Sequence, residues 1–284
     1  MDSHCTARAP EREQAGGCWV AMLELPDLAQ ADGAYTVYLS APERERFDAI
    51  RSAQRRREWL GGRLAAKYLF LYRLELGFEA DADRWRPALL ALSSESLRVF
   101  PAWMYEAIEI RPSTDAQGGA PRLVWLGGDR EQSISVSHTR NVACACLAEG
   151  VVGVDLEMAE PRVETFYRSN YTDAEKAWVD RCAREERIDE DWLYTLLWTC
   201  KESALKARAL HQQSALSFAG IDVSGLPAPR DVRWAYLQGR FSDRCGLFTA
   251  VIQERCRATS AQVAYMGTRD LILTVLKPSA QTVN

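Results

Sequence analysis

Val151-Val-Gly-Val-Asp-Leu-Glu157 stands just past the midpoint of this chain. Gly150 marks a turn before it, and the segment is short and rich in β-branched residues, so it reads as a strand. Side chains alternate across a strand. Val152, Val154 and Leu156 therefore share one face, and Gly153, Asp155 and Glu157 share the other. Two carboxylates two residues apart on one face repel each other. A hard cation such as Mg²⁺ relieves that repulsion and prefers oxygen ligands. Gly153 leaves room beside them. A strand end with its polar face in water gives the same pattern, so the segment alone leaves both readings open.

Two further segments carry chemistry-bearing residues. Downstream lies Trp198-Thr-Cys-Lys-Glu-Ser-Ala-Leu-Lys206, within a long helix expected from about Asp189 to Ala209. Leu193, Leu196, Leu197, Cys200, Ala204 and Ala207 recur at helical spacing and form its apolar stripe. Glu202 falls on the opposite side, four residues before Lys206. A surface ion pair at this spacing is worth only a few tenths of a kcal/mol. Trp198 and Leu205, large and apolar beside Glu202, argue against a fully wetted face and make the pair a candidate site. Upstream lies Ile134-Ser-Val-Ser-His138, an apolar strand ending in a hydroxyl and an imidazole, both suited to phosphate oxygens. The chain lacks G-x-S-x-G, so a hydrolase nucleophile elbow is excluded. It also lacks the P-loop motif G-x-x-x-x-G-K-[ST].

Farther towards the N-terminus, residues 18–25 and 34–39 read as short strands and Pro42 to Leu76 as a basic helical region. Between residues 41 and 73 nine Lys/Arg face four acids. A solvated helix face is the plain explanation and an anionic ligand the alternative. The pair Gly61-Gly62 before Arg63 favours a ligand. Two glycines cost a helix roughly 2 kcal/mol but let something approach its backbone. Residues 81–104 are less patterned and read as an insertion. Glu106 to Arg111 reads as a strand, Ser113 to Pro121 as a turn-rich loop, and Ser133 to Leu147 as apolar β structure. Residues 155–191 are acidic, with twelve Asp/Glu against six Lys/Arg. Strands are expected near 232–237, 246–253, 261–266 and 270–276.

The bulk properties fit a cytoplasmic globular protein. The 284 residues, 47% hydrophobic, suffice for one large domain or two compact halves. A net charge of −4 argues against a general nucleic-acid binder. No stretch is long enough to span a bilayer, and residues 1–17 read as a loose polar tail. The eight cysteines form no CxxC and several sit among apolar residues, so they read as reduced, partly buried thiols.

Taken together, Ser137-His138, Gly153-Val-Asp-Leu-Glu157 and Trp198-Thr-Cys-Lys-Glu-Ser-Ala-Leu-Lys206 resemble the 4′-phosphopantetheinyl transferases of the surfactin-synthetase-activating (Sfp) type. Order and spacing agree with that family's S-H, G-[VI]-D-[ILV]-E and W-x-x-K-E-[AS]-x-x-K motifs. Weaker likenesses are Arg57-Glu-Trp-Leu-Gly-Gly-Arg63, Gly119-Ala-Pro121 and Tyr171-Thr-Asp-Ala-Glu175. The chain departs from the family at Ala120, where a lysine is usual and Arg122 is the nearby substitute. The glycines that often follow the helix motif are missing around His211 to Ser217.

The resemblance implies an α/β (α+β) fold of two similar halves related by a pseudo-twofold axis, divided near Gly150 into residues 18–149 and 150–284. Coenzyme A would lie between them. It implies a monomeric holo-acyl-carrier-protein synthase. This enzyme moves phosphopantetheine from coenzyme A to a serine of an apo acyl or peptidyl carrier protein, releasing 3′,5′-ADP. Asp155, Glu157 and Glu202 would hold Mg²⁺ or Mn²⁺. Glu202 would also take the serine proton. Lys206, and secondarily Lys201, would neutralise phosphate charge. Arg63, Ser137 and His138 would bind the 3′-phosphoadenosine end, with Arg44 and Arg46 as further phosphate contacts. The alternatives are a coenzyme A-binding protein that has lost catalysis and an unrelated Mg²⁺-dependent phosphotransferase.

Overall fold

The computed structural model describes residues 18–25, 33–76, 88–111, 121–126, 131–140, 142–148, 150–209, 218, 221–223, 226, 244–254 and 257–283. The expected tail at 1–17, the loop around Ala120, the segment His211 to Ser217 and the expected strand at 232–237 lie outside them.

The first strand, β1 (Cys18–Glu24), is buried along nearly its whole length. It lies inside a six-stranded sheet of order β2-β1-β6-β5-β4-β3. The other members are β2 (Ala88–Leu92), β3 (Ile108–Arg111), β4 (Arg122–Trp125), β5 (Glu131–Thr139) and β6 (Val142–Ala148). Neighbours are antiparallel except β1 and β2, which are parallel. The second sheet has the order β7-β11-β10-β9-β8. It contains β7 (Gly153–Met158), β8 (Ile221–Asp222), β9 (Arg244–Glu254), β10 (Arg257–Gly267) and β11 (Leu271–Val283). The mixed α/β architecture thus places the first sheet within residues 18–148 and the second within 153–283.

The helices are α1 (Ala41–Ala49), α2 (Ala53–Leu76), α3 (Ala102–Glu106), α4 (Glu164–Asn170), α5 (Asp173–Glu186) and α6 (Glu190–Ala209). Among the described residues, none is long and apolar enough to cross a membrane. Two expectations are corrected here and a third, the helical region, is refined. Residues 34–39 are not a strand, because Thr36–Tyr38 makes a 3-10 turn. The basic region is two helices, α1 and α2, separated by an extended Ile50. Glu106 closes α3, so the following strand starts at Ile108. Residues 88–106, within the expected insertion or just after it, supply edge strand β2 and the buried Leu97, Phe100 and Tyr105.

Gly61 and Gly62 also have a different purpose from the expected one. A Cβ at Gly61 would collide with Leu25 and press on Ala143, and one at Gly62 would collide with Val136. The pair lets α2 settle directly on the first sheet, and that packing gain offsets its helix-propensity cost. The two faces of β7 separate as period-two alternation requires. Val152, Val154 and Leu156 pack with Val20, Met22, Cys144 and Cys146 of the first sheet. On the other face, a Cβ at Gly153 would collide with the Ser203 carbonyl and lie 2.8 Å from Ala207 N. Helix α6 therefore touches β7 backbone to backbone.

The long helices α2 and α6 are each tied to the N-terminus of a shorter helix by a buried ion pair. Ser40 begins α1 and Glu43 bonds back to its N–H at 3.0 Å, a capping box. The same carboxylate accepts from Ile110 N at 3.0 Å and from Lys67 Nζ of α2. Lys67 spends its other two N–H groups on the Tyr38 and Tyr105 carbonyls. In the second arrangement Thr172 begins α5, and Glu175 bonds back to its N–H at 2.8 Å. Glu175 also accepts from Val223 N at 2.9 Å and from Lys201 Nζ of α6 at 2.7 Å. Lys201 completes its valence on the Asn170 and Phe218 carbonyls. Burial lowers the proton affinity of both lysines and the facing carboxylate opposes it.

Candidate functional site

Asp155 sits in the middle of β7, almost wholly buried. Its Oδ1 accepts from Lys206 Nζ of α6 at 2.6 Å and from the Ser137 hydroxyl of β5 at 2.8 Å. Lys206 Nζ lies 3.1 Å from Ser137 Oγ. A side chain from each of three elements therefore meets at one carboxylate oxygen. The other oxygen, Oδ2, is buried with no hydrogen-bond partner among the described residues. An unsatisfied buried acceptor costs about 1–3 kcal/mol, so something in the working protein is expected to occupy it.

Glu157 and Glu202 complete the cluster. Burial, and then the charge of Asp155, push the carboxyls of both upward. Lys206 offsets part of this at both residues, and Arg162 offsets it at Glu157, to which its guanidinium comes within 3.4 Å. Glu202 is half-buried on α6, one turn before Lys206. The helical stripe packs as its spacing predicts: Leu193, Leu196, Leu197, Cys200, Ala204 and Ala207 are all in the core. Trp198 lies against Phe166 and Phe218, with ring centroids 4.8 and 4.3 Å away. Helix phase then turns Glu202 and Lys206 towards β7.

A divalent cation suits this donor set. Asp155, Glu157 and Glu202 lie close enough to feel one another's charge, with Lys206 and Arg162 to balance them, and a buried oxygen of Asp155 has no partner among the described residues. Oxygen donors of this kind suit Mg²⁺. Among the described residues, no three His, Cys, Asp or Glu side chains converge as closely as ligands around a metal ion do. Lys206 instead brings its charge onto Asp155 Oδ1.

His138 follows Ser137 on β5. Its Nδ1 is 3.5 Å from Glu58 of α2. Burial lowers its proton affinity first; Glu58 opposes this and Lys206 adds to it. His138 thus faces Glu58 of α2 while feeling the charges of Lys206 and Asp155.

The remaining residues selected from sequence lie elsewhere. Arg63 stacks on Trp59, 3.3 Å from the ring centroid. It approaches Glu43 at 3.8 Å, and its buried Nε has no hydrogen-bond partner among the described residues. Burial lowers its pKa to about 10; Glu43 opposes the shift and neighbouring Arg46 adds to it. Arg44 pairs with Glu106 at 2.8 Å, and Arg46 is exposed. Lys201 is fully buried, and its three N–H groups are all used on protein acceptors. It has none left for a phosphate, which corrects its expected role. Ser137 places its hydroxyl on Asp155. Arg162 as the partner of Glu157 and Glu58 as the partner of His138 are additions that no motif of the chain announces. An isolated arginine five residues beyond Glu157, within an acidic run, is the signal that was available.

A mixed α/β scaffold presenting clustered carboxylates and a lysine on adjoining strand and helix backbones is suited to phosphoryl-type transfer. Residues 151–246 match the family model of the 4′-phosphopantetheinyl transferase superfamily. That stretch carries Asp155, Glu157, Glu202 and Lys206. Among curated proteins none matches the chain.

Proposed function

We propose that this protein transfers 4′-phosphopantetheine from coenzyme A to a serine of an apo acyl or peptidyl carrier protein. We further propose that it does so as an Sfp-type enzyme, monomeric and cytoplasmic. The observation that carries the reading is the meeting of Asp155 and Lys206, both inside the stretch similar to the transferase superfamily, with Ser137 from outside it, and with Asp155 Oδ2 unpartnered among the described residues. The two sheets, each with a long helix locked by a buried Glu–Lys pair, support two halves related by a pseudo-twofold axis.

In the proposed reaction the carrier serine Oγ forms a bond to the β-phosphorus of coenzyme A. The phosphorus–oxygen bond to the nucleotide breaks and 3′,5′-ADP leaves. Asp155, Glu157 and Glu202 would hold Mg²⁺, which would supply Lewis-acid polarisation of the pyrophosphate oxygens. Lys206 supplies a fixed positive charge to developing negative charge, a contribution larger in a water-poor site. Glu202 accepts the serine proton. His138, Arg63 and Arg46 offer cationic and hydrogen-bonding groups to the nucleotide end.

The test is incubation with coenzyme A, Mg²⁺ and a panel of apo-carrier domains, followed by intact mass. A gain of one phosphopantetheine on a carrier, lost in excess EDTA, is expected. No modification of any carrier, together with no thermal shift on adding coenzyme A, would refute the assignment.

A further inference from the structure

The open edge of β7 is closed by side chains instead of by another strand. β7 ends the second sheet, with β11 on one side. On its free side, Val154 N donates to Ser135 Oγ at 2.9 Å and Leu156 N to Ser137 Oγ at 3.3 Å. Both serines are buried and sit two apart on β5, so they share one face of that strand. Each satisfies an edge N–H that would otherwise be buried without a partner. In this backbone task the two are equivalent.

They differ at the hydroxyl proton. Ser137 donates its proton to Asp155 Oδ1 at 2.8 Å and receives Lys206 Nζ at 3.1 Å as well as Leu156 N. A serine hydroxyl has one donor and two acceptor positions, so all three are occupied. With Oδ1 held by Ser137 and Lys206, Oδ2 is the Asp155 oxygen left for another ligand.

We propose that Ser137 is a positioning residue. Reaching across from the first sheet, it fixes the Asp155 carboxylate and dedicates Oδ2 to metal binding, so that the metal site depends on the register between β5 and β7. This rests on the proposed transferase reading, and the test below separates the two. Partners that orient a metal-ligating group typically change metal affinity about 10–100-fold when removed.

The experiment titrates Mn²⁺ into the full-length protein with saturating coenzyme A and reads free Mn²⁺ by electron paramagnetic resonance. A titration of coenzyme A alone is subtracted, and Tm is recorded for every variant. Ser137→Ala and Ser135→Ala should each lower Tm, because each removes an edge bond, and Ser137→Ala should lower it further because Asp155 and Lys206 also lose a partner. Ser137→Ala should raise the Mn²⁺ Kd about tenfold or more, whereas Ser135→Ala should leave it unchanged. The pair Ser137→Thr and Ser137→Val, alike in shape and different in the hydroxyl, repeats the comparison if Ser137→Ala does not fold. Thr should retain the affinity and Val lose it. Equal affinities across these pairs, with Mn²⁺ bound by the unmodified protein, would overturn the role of Ser137 and leave the transferase reading standing. No Mn²⁺ retained by the unmodified protein would overturn the metal reading, and this inference with it.

Discussion

Gly153→Ala is the substitution that most directly tests how the site is assembled. The added methyl would lie 2.8 Å from Ala207 N and closer still to the Ser203 carbonyl. Both are backbone atoms of α6, so no side-chain rotation relieves the clash. A normal contact needs about 3.5 Å, and with the Ser203 carbonyl oxygen only 1.8 Å away, α6 must move away from β7 by roughly 1.5–2 Å to restore it. Glu202 and Lys206 ride on that helix, and the 2.6 Å bond from Lys206 to Asp155 is the first to stretch. Overpacking of this kind costs about 1–3 kcal/mol of stability. A 1 Å misplacement of positioned groups costs about 100-fold in rate. Gly62→Ala is the control, because it meets only the Val136 side chain of the first sheet, away from α6. The assay is carrier modification by intact mass over time, paired with urea unfolding of each variant. Gly153→Ala should lose far more activity than Gly62→Ala at comparable stability. Wild-type kcat in Gly153→Ala would show that backbone contact between α6 and β7 does not position the catalytic groups.

Other consequences are also measurable. Lys201→Met should destabilise the protein by about 3–5 kcal/mol, because Glu175 is left buried and uncompensated; pairing it with Glu175→Gln should recover part of the loss in urea unfolding. Burial pushes the Cys144 thiol up to about 12 and that of Cys200 upward as well, and only the thiolate is nucleophilic. Peptide mapping should therefore find neither alkylated by iodoacetamide at pH 8 in the native protein, and both modified after denaturation. Carrier recognition should weaken with salt more than coenzyme A binding, since exposed charges are screened beyond about 8 Å at physiological ionic strength. Charge reversal at the exposed Arg51, Arg55 and Arg57 should imitate high salt by raising carrier KM. Arg56 is not equivalent, because it donates to the Ile50 carbonyl at 2.6 Å and lies over Phe47. A carrier KM unaffected by salt and by these reversals would mean that carrier recognition is mainly apolar.

Local periodicity made much of this molecule legible from sequence. Alternation along β7 already put Gly153, Asp155 and Glu157 on one face, because strand side chains repeat every two residues whatever packs around them. The apolar stripe of α6 likewise placed Glu202 and Lys206 on a common side, four residues and about 40° apart on a helix of 3.6 residues per turn. Lys201 and Lys206 lie five residues apart, about 140° around the same helix. Sequence could separate them in angle but could not say what each would meet. Tertiary packing made Lys201 a buried strut on Glu175 and Lys206 the partner of Asp155. It also decided that Gly61 and Gly62 admit a sheet instead of a ligand, and that Ser137 closes on a carboxylate 18 residues away. Such pairings depend on which surfaces come together across the chain, and hydrophobic burial and backbone satisfaction select those surfaces globally, leaving no periodic mark in the local sequence.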